Sequence, residues 1–206
     1  MTSGDDLRRE FGIDPSRLNE QPALRVRACF SLGTVIGQWI GTLLMCGLGT
    51  GMAFALWHLP APVGLPAALL ALTGMGWLIW LAVRNDFAWI ELEDDVLRAQ
   101  HLYTGRQVER ELREIRELLP VILRPIPVEA SIAVALLGRI KAIHVRFEDG
   151  RQPLPIQRSD PAMVDAQELI VALVVRMSQI AELETDVLLV DEKPLITRIG
   201  WKQAPG

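Results

Sequence analysis

The chain has 206 residues, of which 50% are hydrophobic and 22% charged, and its formal net charge is −4. Residues 28–83 contain no Asp, Glu, Lys or Arg, whereas 10 charged residues precede this block and 36 follow it. Such a split argues against intrinsic disorder and against a uniformly soluble protein. The absence of a strongly basic region argues against nucleic-acid binding and against non-specific attraction to anionic lipid.

The uncharged block predicts a transmembrane helical hairpin over residues 28–84, preceded by a cytoplasmic N-terminal segment, 1–27. A bilayer crossing needs about 20 apolar residues in a helix, so the block accommodates two spans. We place them at about 32–57 and 65–83, because the prolines at 60 and 62 interrupt the apolar run. A cleaved signal peptide would have a shorter apolar core, and two buried helices of a soluble protein would not lack every charge.

The flanking residues predict which side of the membrane each end occupies. Basic residues precede the first span and follow the second, while the turn has none. By the positive-inside rule, we expect a multi-pass membrane protein with both termini in the cytoplasm. The expected anchors at the membrane interface are arginines and tryptophans: Arg25, Arg27, Trp57, Trp77, Trp80 and Arg84.

A row of small residues marks one face of the first span. Gly33, Gly37 and Gly41 recur every four residues, a spacing that lets two helix backbones approach closely. Two interpretations are open: the row packs against the second span of the same chain, which we favour, or it contacts another protein or a second copy. Gln38 is an uncharged amide inside the span, and we expect it to mark a helix–helix interface rather than a transport path.

After the hairpin, alternation of apolar and polar residues predicts a small cytoplasmic β domain over 85–182. The predicted elements are strands at 87–93, 96–103 and 107–112, and a hairpin of 140–147 with 152–157. The segment 106–118 is ambiguous, because its apolar residues also recur at helical spacing; we predict a strand for its first half.

The end of the chain predicts a helix and an extension. A capping Ser-Asp-Pro sequence and a wide apolar stripe predict an amphipathic capping helix at 161–180. The remaining residues, 183–206, form a C-terminal extension with a candidate strand at 186–191 and a tail from residue 201.

The order of these elements resembles bacterial membrane proteins that carry a PH-like domain. The likeness covers about residues 30–180 and lies in three segments: 89–97 (WIELEDDVL), the Tyr-Thr-Gly turn at 103–105, and 112–118 (LREIREL). The hairpin at 143–150 and the helix fall where the family has its last hairpin and capping helix. The resemblance implies a membrane-anchored α+β protein whose split β-barrel is closed by a helix and binds rather than catalyses. The chain departs from the pattern in the proline-rich segment 120–127 and after residue 180, which leaves the strand count between 119 and 139 open.

No motif for a nucleotide, a hydrolase triad or a metal occurs, and we expect no catalytic residue, metal or cofactor. His101 and His144 could meet on one face, but we interpret them as solvent-facing or hydrogen-bonded structural residues. The sequence offers one basic cluster as a candidate partner-binding patch: Arg106, Arg110, Arg113 and Arg116. Interleaved glutamates would largely cancel its attraction for an acidic partner.

These features favour a non-enzymatic accessory or scaffold subunit that docks onto a larger membrane complex, which could be respiratory, photosynthetic, transport or secretory. Its expected partners are the lipid bilayer and other membrane subunits. The glycine row is also compatible with a homo-oligomer. Nucleic acid is not an expected partner. The alternative is a membrane-tethered regulator or sensor whose PH-like domain binds a peptide or a lipid headgroup. A membrane enzyme is the third hypothesis and has no supporting constellation of residues.

Overall fold

The computed structural model describes residues 7–20, 25–122, 140–150, 153–158, 163–190 and 193–202. In these residues the protein is α+β, with a long apolar helix near the N-terminus and two β-sheets. The helices are α1 (Leu32–Trp57), α2 (Ala61–Asn85) and α3 (Ala166–Ile180). The strands are β1 (Arg25–Cys29), β2 (Phe87–Glu93), β3 (Val96–His101), β4 (Gln107–Glu111), β5 (Ile115–Ile122), β6 (Ile140–Phe147), β7 (Leu154–Gln157), β8 (Glu182–Val190) and β9 (Lys193–Lys202).

Helices α1 and α2 form an antiparallel pair joined by a short turn. Ser31 caps α1 by accepting a hydrogen bond from the backbone N–H of Thr34 at 3.1 Å. The second helix begins at Ala61, four residues earlier than predicted, because a proline in the first helical turn lacks only an N–H that would have no partner there. Gly64 makes the tight turn sterically feasible, since a Cβ at this position would lie 2.6 Å from the carbonyl oxygen of Leu56.

The first sheet is antiparallel, with the strand order β1-β2-β3-β4. The predicted strands β2, β3 and β4 are present, but β1 was not foreseen. Ala28 lies opposite Ile90, and both side chains are buried. The predicted boundary between residues 27 and 28 therefore falls inside a strand.

The second sheet has the order β7-β6-β5-β9-β8. The helical interpretation of 106–118 is wrong: β4 ends at Glu111, a 3₁₀ turn covers Leu112–Glu114, and β5 follows. Strand β5 runs to Ile122, while residues 123–139 lie outside the described part of the chain.

Helix α3 fills the core between the sheets. It begins at Ala166 rather than at 161; Met163 and Val164 precede it in extended backbone, and Val164 exchanges two backbone hydrogen bonds with Cys29. Residues 161–162 are outside the described part. Nine residues of α3 are buried, more than one face of the helix, because both sheets and the N-terminal segment pack around it.

The N-terminal segment belongs to this core, although the sequence indicated only a separate cytoplasmic stretch. A π-helical turn (Leu7–Phe11) and a 3₁₀ turn (Pro15–Asn19) bring Leu7, Phe11 and Ile13 into full burial. The side-chain amide of Gln167, on α3, donates a hydrogen bond to the carbonyl of Phe11 at 3.0 Å.

The C-terminal extension is a β-hairpin. Residues 186–190 of the candidate strand at 186–191 lie in β8, which begins earlier, at Glu182, while residue 191 lies outside the described residues. The prediction of a tail from residue 201 is wrong for Trp201 and Lys202, which end β9. Strand β9 also pairs with β5 through Glu117 and Leu118, so the hairpin extends the second sheet.

Candidate functional site at the junction of helices and sheet

The helix pair and the first sheet meet at one end of the β domain. Strand β1 leads into α1, and α2 leads into β2. Because β3 runs antiparallel to β2, the β3–β4 turn, residues 102–106, lies at this same end, beside the helices.

Tyr103, the one tyrosine of the chain, joins this turn to α1. Its hydroxyl lies 2.9 Å from Oγ1 of Thr42, and its ring packs edge-on against Trp39 with 5.0 Å between ring centroids. Thr42 already donates its single O–H to the carbonyl of Gln38 at 2.9 Å, so the Tyr103 hydroxyl is the donor to Thr42.

A cleft of about 330 Å³ opens beneath the Tyr103 ring between the two helices. Its polar wall is formed by Gln38, Thr42 and Tyr103, and its apolar floor by the two methionines Met45 and Met75 with Ile79; Gly41 completes the lining. The Oε1 atom of Gln38 is buried and has no hydrogen-bond partner in the described residues. The cleft thus presents one acceptor without a donor at the level of Tyr103.

The close contact between the two helices is made by glycine, but not by the predicted row. A Cβ on Gly49 would collide with the side chain of Met75, whereas a Cβ on Gly37 or Gly41 would meet no atom within 4 Å. At about 100° per residue, Gly33 and Gly37 lie about 160° and about 120° around α1 from Gly49, whereas Gly41 lies about 80° from it and lines the cleft. The close glycine contact with the second span is therefore made by Gly49, and our favoured interpretation, that the row packs there, stays a prediction.

The predicted membrane-interface anchors occupy different surroundings. Trp57, Trp77 and Trp80 are exposed on the helices. Arg25 and Arg27 lie in β1: the Nε of Arg25 is 2.7 Å from Oε1 of Glu91, and the guanidinium of Arg27 lies 4.5 Å from the Trp89 ring centroid. The backbone of Arg84 is helical, and its side chain is outside the description.

The four arginines of the candidate patch lie on several elements. Arg106 precedes β4, Arg110 is in β4, Arg113 is in the 3₁₀ turn and Arg116 is in β5. Arg110 is engaged within the domain, 4.0 Å from Asp149 and 5.6 Å from the Phe147 ring centroid. The other three are exposed, so their binding role stays a prediction.

Two buried carboxylates were not singled out from the sequence. Glu91 pairs with Arg25, and Glu117 is held between Arg146 at 3.1 Å and Arg198 at 2.8 Å. Because Glu117, Arg146 and Arg198 lie on β5, β6 and β9, this cluster joins three strands. The alternating charges along neighbouring strands indicated that ion pairs could form between strands. Only the strand register shows which charges meet.

The two histidines of the β domain lie in different sheets, His101 on β3 and His144 on β6. Burial lowers the pKa of both imidazoles, and the positive charges of Arg106 and Arg146, respectively, lower it further. Both rings are consequently neutral near pH 7. In the part of the chain that the structure describes, no three metal-binding side chains cluster, and Cys29 and Cys46 are free thiols.

Comparisons with protein-family models, curated proteins and solved structures find no match to this chain. By length and composition, α1 is long and apolar enough to cross a membrane, with a mean hydropathy of 1.6 and 11% of its most apolar window buried. The comparable stretch of α2 in the described residues, Pro62–Trp77, is shorter. One membrane-compatible helix next to a β domain is therefore the functional property that the structure shows.

Proposed function

We propose that the protein is a membrane-anchored, non-enzymatic accessory subunit or scaffold that docks onto a larger membrane protein complex through its helical hairpin and cytoplasmic β domain. One observation carries this proposal: the side of α1 away from α2, its outward face, combines large exposed apolar side chains with two exposed glycines, Gly33 and Gly37, that do not make the close contact with α2. A hairpin that anchored only itself would need the apolar side chains but not the glycines.

Anchoring is supported by the exposure of the helix pair. Leu43, Leu48 and Leu70 are 65%, 69% and 73% exposed, and many further apolar side chains surround them. An exposed apolar surface of this extent is stable in lipid or against protein rather than in water. Because residues 28–83 are uncharged throughout, α2 is proposed as a second crossing, with both termini on the cytoplasmic side of the bacterial inner membrane.

Docking is supported by the direction of the glycine row. Small residues such as glycine let the backbones of two helices approach closely, which favours helix association in membrane proteins. Gly33 and Gly37 are exposed at the end of α1 next to the β domain and do not make the close contact with α2, so they offer this close approach to a helix of another subunit.

The cytoplasmic part is proposed to be a PH-like binding domain. Two antiparallel sheets followed by the buried helix α3 support that resemblance. The β8–β9 hairpin is an addition to the implied pattern and enlarges the surface available to a partner.

The test is affinity purification of the full-length tagged chain from its own membranes in mild detergent, followed by mass spectrometry. Gly37→Leu places a bulky side chain on the outward face, and Gly76→Leu on α2 is the matched control, because both positions are sterically open. We expect stoichiometric membrane subunits to co-purify with the wild type and the control but not with Gly37→Leu. Recovery of a lone, monodisperse wild-type chain would contradict the proposal.

The alternative is a tethered regulator that binds a peptide or lipid headgroup in the β domain. A cleft of about 410 Å³ at the start of α3, lined in part by Arg158, is its best support. However, Asp165 and Glu168 share this lining, and Glu168 already pairs with Arg17 at 3.3 Å. The cleft thus lacks a net positive charge for phosphate, and the accessory role is the better supported of the two.

A further inference from the structure

The β3–β4 turn follows α1 along part of its length. Tyr103 contacts Thr42, which lies ten residues beyond Leu32, or about 15 Å along the axis at about 1.5 Å per residue. Val35, on the first turn of α1, packs against the core of the β domain. Whatever medium surrounds the helix pair at the level of Thr42 therefore also reaches the turn.

The lengths of the two helices indicate which part of each helix can lie in the hydrocarbon of a bilayer. From Trp39 to Trp57 is about 27 Å along α1, and the equal separation of Pro62 and Trp80 gives about 27 Å along α2. Both lengths are close to the hydrocarbon thickness of about 30 Å. Counting from Leu32 instead gives about 38 Å and would submerge the β3–β4 turn in the hydrocarbon.

The side chains at the level of Trp39 are those that favour the membrane interface. Trp39 and Trp80 are 42% and 46% exposed, and the Tyr103 ring lies against Trp39. Indole and phenol rings combine an apolar body with a polar tip and are enriched at the headgroup level. Thr104, Gly105 and Arg106 are exposed beside them, and a guanidinium there can reach lipid phosphate.

We propose that the β3–β4 turn lies in the phospholipid headgroup zone, so that the hydrocarbon crossing of α1 begins near Trp39 rather than at Leu32. This inference rests on the proposed membrane anchoring and adds to it a contact between the β domain and the lipid surface. At this level the buried Oε1 of Gln38 is within the zone where water and headgroups supply hydrogen-bond donors.

Site-directed spin labelling of the full-length chain tests the proposal. In a Cys29→Ser/Cys46→Ser background, single cysteines are introduced as Thr104→Cys in the turn, Leu48→Cys in the middle of α1, and Glu111→Cys at the far end of β4. The nitroxide-labelled proteins are reconstituted in vesicles of phosphatidylcholine and phosphatidylglycerol. Collisions with oxygen, which partitions into lipid, and with a water-soluble nickel chelate are then measured.

We expect the Thr104 label to lose nickel collisions and gain oxygen collisions relative to the Glu111 label, without reaching the values of the Leu48 label. If Leu48 is buried in lipid but Thr104 is as accessible to nickel as Glu111, the inference is wrong and the anchoring stands. A Thr104 label shielded from both reagents would place the turn against protein and also overturn the inference. A nickel-accessible Leu48 label would overturn the anchoring and the inference together.

Discussion

Tyr103 is the residue through which the β domain contacts α1 most specifically. Its hydroxyl donates to Thr42 and its ring packs on Trp39, although 61 residues separate Tyr103 from Thr42. No local pattern in the sequence connects these positions, since the contact depends on the strand register that brings the β3–β4 turn to the helix end of the sheet. The sequence indicated the turn but could not indicate what the turn contacts.

A double-mutant cycle of Tyr103→Phe and Thr42→Val measures this contact. Each substitution removes one partner of the hydrogen bond, so we expect each to lower the free energy of unfolding by about 0.5–1.5 kcal/mol. The double variant should lose less than the sum, because the two hydroxyls contribute through one shared bond. The free energies of unfolding are measured in detergent, with circular dichroism as the probe. Strictly additive losses would contradict the contact.

His144 makes stability depend on pH. Burial and Arg146 lower its pKa in the folded state, so below the unfolded pKa of about 6.5 the unfolded chain binds more protons than the folded one. Stability is therefore complete above about pH 6.5 and falls as the pH drops from there toward the folded pKa.

The substitution His144→Gln should flatten the fall in the midpoint of thermal unfolding between about pH 7 and pH 5. The pKa of His101 is also lowered, so a variant that keeps His101 should keep part of the pH dependence of stability. Gln157→Asn, on the strand paired with β6, is the control because it removes no titratable group. An unchanged pH dependence in the His144→Gln variant would show that this imidazole is solvated.

At the scale of elements, the closest glycine contact of the helix pair is at Gly49. The spacing of Gly33, Gly37 and Gly41 predicted a packing row, yet the glycine in closest contact with α2 is Gly49, which lies about 80° to 160° around α1 from them at about 100° per residue. A repeat every four residues identifies a smooth helix face, but it does not determine which neighbour covers that face. At the α1–α2 turn glycine is needed as well, because a Cβ on Gly64 would lie 2.6 Å and 2.7 Å from the carbonyl oxygens of Leu56 and Leu59.

The substitutions Gly49→Leu and Gly51→Leu separate the two faces. The first places a side chain into Met75 and should lower the stability of the hairpin by about 1–3 kcal/mol through overpacking. The second enters open space and should be close to neutral. The measurement is the rate at which a protease cleaves the α1–α2 turn of each variant in detergent. Equal cleavage rates in the two variants would contradict the packing described.

The N-terminal segment is an element that sequence reasoning missed. Leu7 and Phe11 are four residues apart, whereas Phe11 and Ile13 are two apart, so the three residues follow no single helical or strand period. Their burial follows from the surface that α3 and the sheets leave uncovered, which is a property of the assembled fold.

Phe11→Ala tests whether this segment contributes to the core. Removing a fully buried phenyl ring leaves a cavity and should lower the free energy of unfolding by about 3–5 kcal/mol. Leu32→Ala is the control, because Leu32 is 76% exposed and lies outside the core. Chemical denaturation of both variants in the same detergent provides the comparison, and equal small losses would show that the segment is not docked.

At the scale of the whole molecule, the sequence predicted the parts with a strong local period and missed those decided by distant partners. The apolar block and the alternation around Ile90 and Leu92 predicted the helix pair and β2. Strand β1 is only five residues long and is formed through its pairing with β2, more than 60 positions further along the chain. The start of α3 was placed too early for a similar reason, since Val164 bonds to Cys29 instead of joining the helix.

The paired strands β1 and β2 continue into the paired helices α1 and α2 with almost no intervening chain. Only Phe30 and Ser31 separate β1 from α1, and only Asp86 separates α2 from β2. Such short connections leave few residues that could flex between the helices and the first sheet. A tilt of the helix pair would therefore also tilt this sheet. Under the proposed anchoring, the tilt of the helices would therefore set the orientation of the first sheet, and a change in bilayer thickness would alter that orientation.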